Sequence, residues 1–181
     1  MSYPTLIIGG IEIPLRALTE GFTQTYEELA GLSARRTLGG SLLIQRAWPL
    51  TRNYLLRTTI SGGGILPAPL DHLDRGGTYE VECAEHRRIA GDGASNVITL
   101  PAGRRSGGIY TPRGYALVDG ELVETTIAIV GHVATPGLVT GAQHYQVRYW
   151  PKFTGNLTHK SDGEPWRATR RWTITIEEEG E

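Results

Sequence analysis

Apolar and polar residues alternate along this chain in short runs, and glycine or proline separates one run from the next. That two-residue period is the mark of a half-buried strand. Leu6-Ile7-Ile8 and Ile11-Glu12-Ile13, joined by Gly9-Gly10, predict a hairpin, since a two-residue loop needs the positive φ that glycine supplies. Phe22 to Tyr26 alternates with threonines and predicts a further strand, while Glu27 to Leu32 has room for one helical turn that Gly31 weakens. Ala34 to Leu38 and Ser41 to Trp48, turned at Gly39-Gly40, predict a second hairpin that Pro49 stops. Val97 to Leu100 is a short strand. Asp119-Gly120 between Tyr115–Val118 and Glu121–Val130 is the strongest hairpin signal in the chain. Thr135-Pro136-Gly137 marks a turn, and Tyr145 to Trp150 alternates until Pro151. A closing strand places Trp172, Ile174 and Ile176 on one face, with Glu177 to Glu179 as a solvated tail.

The stretch Leu55 to Glu82 organises the rest. A strand over Leu55–Ser61 enters a hinge at Gly62, Gly63 and Gly64. A short helix over Ala68–Leu73 follows, with Pro69 in its first turn and Leu70 and Leu73 on one face. Gly76-Gly77 ends it, and Thr78 to Ala84 alternates again. Two polar segments, 101–108 and 154–165, read as mobile surface loops. Many short strands with one or two short helices predict a mainly β chain. The expected form is a single-domain β-sandwich or barrel of antiparallel hairpins covering residues 1–181.

Composition narrows the function classes. The chain has 181 residues, one domain's length, and its 39% hydrophobic content argues against disorder. A net charge of -1 gives no long-range field of the kind a nucleic-acid binder uses, so no nucleic-acid partner is expected. Cys83 is the single cysteine and forms no internal disulfide. No apolar run has the length of a membrane span. The first residues lack the basic region and apolar length of a signal peptide, which points to synthesis in a cytoplasm.

Candidate chemistry is sparse. Cys83 and His86 stand three apart, but on a strand they face opposite sides, so a buried structural cysteine is the better reading than a nucleophile with its base. The five histidines show no zinc spacing, so no metal or cofactor is expected. Asp71, Asp74, Glu80 and Glu82 offer carboxylates for glycoside hydrolysis, set against the plainer reading of solvated charges. The glycines at 62–64 lack the Lys and the long helix of a phosphate cradle. Arginine doublets at Arg35-Arg36, Arg87-Arg88, Arg104-Arg105 and Arg170-Arg171 suit protein interfaces or a solvated face better than a nucleic-acid groove. Trp48, Trp150, Trp166 and Trp172 are candidate subunit anchors or a sugar platform, weighed against core aromatics with polar tips. The interface candidates are Arg104, Arg105, Trp150, Trp166, Arg170 and Trp172.

Three blocks carry a resemblance. They are Leu6-Ile7-Ile8-Gly9-Gly10 with Thr23-Gln24-Thr25-Tyr26-Glu27; Arg57 to Gly64 with Pro67, Leu70-Asp71 and Leu73-Asp74; and Tyr149-Trp150-Pro151 with Trp166 and Trp172 to Glu178. The chain resembles minor structural proteins of the tail tip or baseplate of long-tailed bacteriophages. The resemblance implies a β-rich virion subunit in the tail, assembled with other tail proteins as a ring-forming homo-oligomer, with no catalysis. A carbohydrate-binding or receptor-binding module is the alternative expectation, and a wall or polysaccharide hydrolase a third.

Overall fold

The computed structural model describes residues 4–13, 21–29, 32–37, 39, 41–46, 55–63, 66–92, 95–161 and 171–179. Among them the chain is mainly β, and its strands pair antiparallel. The first strands are β1 (Ile7–Ile8), β2 (Ile11–Glu12), β3 (Thr23–Leu29), β4 (Leu32–Arg36), β5 (Leu42–Arg46) and β6 (Leu55–Gly63). The helix α1 (Ala68–Asp71) precedes β7 (Thr78–Glu82), β8 (Arg87–Ala90) and β9 (Ile98–Thr99). A 3-10 turn (Gly108–Tyr110) leads into β10 (Arg113–Val118), β11 (Glu121–Thr125), β12 (Ile127–Val130) and β13 (Val133–Pro136). The last strands are β14 (Ala142–Tyr149), β15 (Lys152–Ser161) and β16 (Arg171–Glu178).

The turns follow from local chemistry. Gly9 and Gly10 have φ of 57° and 79°, and Asp119 and Gly120 have 50° and 85°. Both pairs are two-residue turns of the primed type, whose twist matches that of the strands they join. They set the registers Ile8↔Ile11 and Val118↔Glu121. The β4–β5 hairpin closes where Thr37 N–H donates to the Ser41 carbonyl at 2.9 Å.

Two compact units form: Met1–Glu12 with Val81–Phe153, and Ile13–Glu80 with Thr154–Glu181. Two of the boundaries between them fall within β7 and β15. In the first unit, the sheet β11-β10-β14-β8 and the sheet β12-β13-β9 share one apolar core. Ile98 and Ala134 from the smaller sheet meet Ala116, Tyr145, Val147 and Tyr149 from the larger, as in a small sandwich. In the second unit the order is β7-β15-β16-β6-β3. Alternation along β16 buries Trp172, Ile174 and Ile176 completely, and each buried aliphatic contributes roughly 1.5–3 kcal/mol. Leu70, on α1, is also fully buried, and Leu73 nearly so.

Several sequence expectations shift. Gly62 and Gly63 are not a hinge: β6 runs through both, paired to Trp172 and Arg171. Gly62 is there for space, since a Cβ on it would lie 2.5 Å from the Trp172 ring. Gly64 lies outside the described residues, as does Trp48. Glu27 to Leu29 extend β3 and form no helical turn, and the helix expected to reach Leu73 ends at Asp71. The expected loop at 154–165 is strand β15 as far as Ser161, and 162–165 lie outside the described residues. The run Glu121–Val130 breaks at Thr126, where the chain leaves one sheet for another. Thr135 and Pro136 are not a turn but close β13. Glu177 and Glu178 are no free tail, being the last residues of β16.

Candidate functional site

The first unit contains a dense polar cluster built around the segment 101–108. Expected as a mobile surface loop, this segment is tied by its backbone. Arg104 bridges to Pro151, Arg105 N–H donates to the Trp150 carbonyl at 2.9 Å, and Lys152 N–H donates to Gly103 at 3.2 Å. The reason is the β14–β15 junction: Pro151 interrupts the strands there, and the segment accepts the pairing they leave open.

Arg105 turns inward and is only 7% exposed. Its guanidinium donates to the backbone carbonyls of Thr5, Glu82 and Cys83, and Nη2 lies 3.2 Å from Glu82 Oε2. The Tyr110 ring covers it, with Cζ 3.5 Å from the ring centre. A buried cation is tolerated only when paired and hydrogen-bonded, and this one is both. Glu82 takes a second cation, Lys152 Nζ, at 3.0 Å. The Tyr110 hydroxyl accepts from Thr5 N–H at 2.8 Å. Trp150 donates its Nε1–H to the Ala84 carbonyl at 3.0 Å and meets Tyr110 and His86 edge-on. Arg104 donates to the carbonyls of Pro101 and Gly131 at 2.7 and 2.6 Å and lies 3.1 Å from His132 Nδ1.

His86 sits at the rim of this cluster. Partial burial, followed by the nearby charges of Arg148 and Arg88, pushes its imidazole below the ordinary histidine pKa. The Glu85 carboxylate, 3.9 Å away, is the opposing charge. His86 is therefore held neutral in the folded chain to lower pH than a free imidazole.

The structure brings together three of the expected interface residues, Arg104, Arg105 and Trp150, but uses them for internal ties. Arg105 and Trp150 are each 7% exposed. Trp172, in the second unit, has no exposed surface. A sugar platform needs an open ring face, which neither tryptophan offers. Trp166 and Arg170 lie outside the described residues. Cys83 is fully buried, as the sequence suggested. Two of the four carboxylates considered for hydrolysis have separate partners: Asp71 pairs with Lys160 at 3.0 Å, and Glu82 with Arg105 and Lys152. No group of three or more His, Cys, Asp or Glu residues that could hold a metal occurs among the described residues. Among them, too, no helix is long and apolar enough to cross a membrane.

No protein-family model, no curated protein and no solved structure matches the chain. Thr5, Tyr110 and Lys152 were not singled out from sequence. They join the cluster through contacts between segments distant in sequence, and such contacts leave no local spacing to recognise.

The second unit carries a simpler charge arrangement. Glu27, Arg57 and Glu177 stand side by side on β3, β6 and β16. Arg57 lies 2.8 Å from Glu27 and 2.7 Å from Glu177, and hydrogen bonds to both carboxylates hold it firmly charged. Glu178 accepts the Leu56 N–H at 2.8 Å.

Proposed function

We propose that this chain is a structural subunit of a bacteriophage tail, at the tail tip or baseplate, and that it acts through protein–protein assembly. The observation that supports this most directly is the β4–β5 hairpin. Among the described residues its two strands pair with each other and with no other strand. A two-stranded hairpin is at best marginally stable in water, so one kept as a distinct element suits a chain completed by a neighbour. The internal use of Arg105, Trp150 and Glu82 fits the same reading, because the most distinctive polar residues brace the scaffold. The blocks resembling tail proteins supply the placement in the tail.

Particle composition tests the proposal. Virions would be purified by density gradient from a host lysate, then examined by peptide mass spectrometry and antibody-gold labelling. The chain is expected in the particles, with label at the distal end of the tail. A chain found only in the soluble lysate would refute the reading.

A further inference from the structure

We propose that the β4–β5 hairpin of one copy adds, as extra strands, to edge strand β11 of a second copy, and that this joint repeats head to tail. The inference deepens the assembly reading and rests on it.

The acceptor is defined by exposure and by hydrogen-bond phase. β11 lies at the edge of its sheet, and Glu121, Leu122, Val123 and Glu124 are all exposed, so both of its faces are open. Leu122 and Val123 are 43% and 42% exposed. The two-residue turn at Asp119-Gly120 makes Val118 and Glu121 a mutually bonded pair. Bonding then alternates, so Leu122 and Glu124 direct their backbone N–H and C=O away from β10. An edge of this kind is a template for another strand.

The donor is defined by pairing, length and charge. β4 and β5 pair only with each other among the described residues, and each has 5 residues, as β11 does. At the tip, Arg36, Thr37, Gly39 and Ser41 are exposed. The stretch from Leu32 to Arg46 is basic in sequence, with Arg35, Arg36 and Arg46 and no acidic residue, and Arg36 also has a partner within the chain. β11 contains Glu121 and Glu124 and no basic residue. Glu124 lies 3.7 Å from Arg113, but both side chains are about half exposed, so solvent screens that contact. A basic arm therefore meets an acidic edge, and the charges favour a second copy of this chain as occupant. Two other edges carry acids: β2 has only two residues, and β3 is less open, with Gln24 buried and Glu27 held by Arg57. Arm and edge are different surfaces, so every added copy presents a fresh arm and a fresh edge. Such a joint closes into a ring when its rotation permits, and otherwise extends as a filament.

Sedimentation velocity on the full chain, over a concentration series at low and high salt, tests this. The wild type is expected to self-associate, and added salt to weaken it. R35E/R36E/R46E alone, or E121K/E124K alone, sets like charges against each other and is expected to weaken association about tenfold or more. An equimolar mixture of the two is expected to regain wild-type association, since each altered arm then finds an opposite edge. Leu122→Pro, which removes an outward N–H and leaves the arm untouched, is expected to weaken association with an unchanged circular-dichroism spectrum. A wild type that stays monomeric throughout overturns the proposal. So does association indifferent to both charge sets, or a mixture no better than its components. None of these outcomes bears on whether the chain is found in virions, which particle composition decides separately.

Discussion

At the scale of single residues, the chain's demands are steric and electrostatic. Trp172 lies against Gly62 so closely that no side chain fits there. Gly62→Ala should lower stability by about 1–3 kcal/mol, read as a shifted urea midpoint with an unchanged slope. An unshifted midpoint would mean that the indole has another place to go. Arg105 is the second demand. Arg105→Met should destabilise by about 3 kcal/mol, because three backbone carbonyls lose their donor and Glu82 keeps only Lys152, and Arg105→Lys should recover only part of this. His86 supplies the pH dependence. Its folded pKa is lowered, so as pH falls the unfolded chain takes up the proton first. Stability is therefore lost as pH drops from the ordinary imidazole range through the lowered folded value. Wild type should lose more stability than His86→Gln between about pH 7.5 and about pH 5.5. Parallel losses in the two proteins would remove His86 as the cause.

At the scale of elements, sequence and structure agree wherever a local rule decides. The hairpins at Gly9-Gly10 and Asp119-Gly120 were legible because turn chemistry acts within a few residues. The second hairpin also forms, but Arg36 pairs with Leu42, so its strands stop short of the two-residue glycine turn expected there. So was the buried face of β16. β15 was hidden because Thr154 to Ser161 is rich in polar residues, although Gly155 and Leu157 are buried within the strand. The break at Thr126 was hidden for another reason. Glu121 to Val130 contains no glycine or proline to mark a break, and only pairing with β13 draws β12 into its own sheet. The Arg105 cluster was half legible: Arg105 and Trp150 stood out by residue type, but the inward turn of the segment depends on Pro151 and the distant β7. The ladder Glu27–Arg57–Glu177 is an element-scale device that joins three strands. Arg57→Met should cost about 0.5–1 kcal/mol, a difference that shrinks in high salt because these side chains are partly exposed. A difference that is independent of salt would assign the effect to packing.

At the scale of the whole molecule, both compact units are sheets braced by internal polar ties, and among the described residues β4 and β5 pair only with each other. Under the proposed function, this scaffold is completed by its neighbours in a phage tail. The most direct measurement is a cryo-EM map of the intact tail at side-chain resolution. The account predicts copies of this chain arranged about the tail axis near its tip, each with β4–β5 paired to a neighbouring strand. A tail without the chain, or copies whose β4–β5 hairpins stand clear of every neighbour, would contradict it.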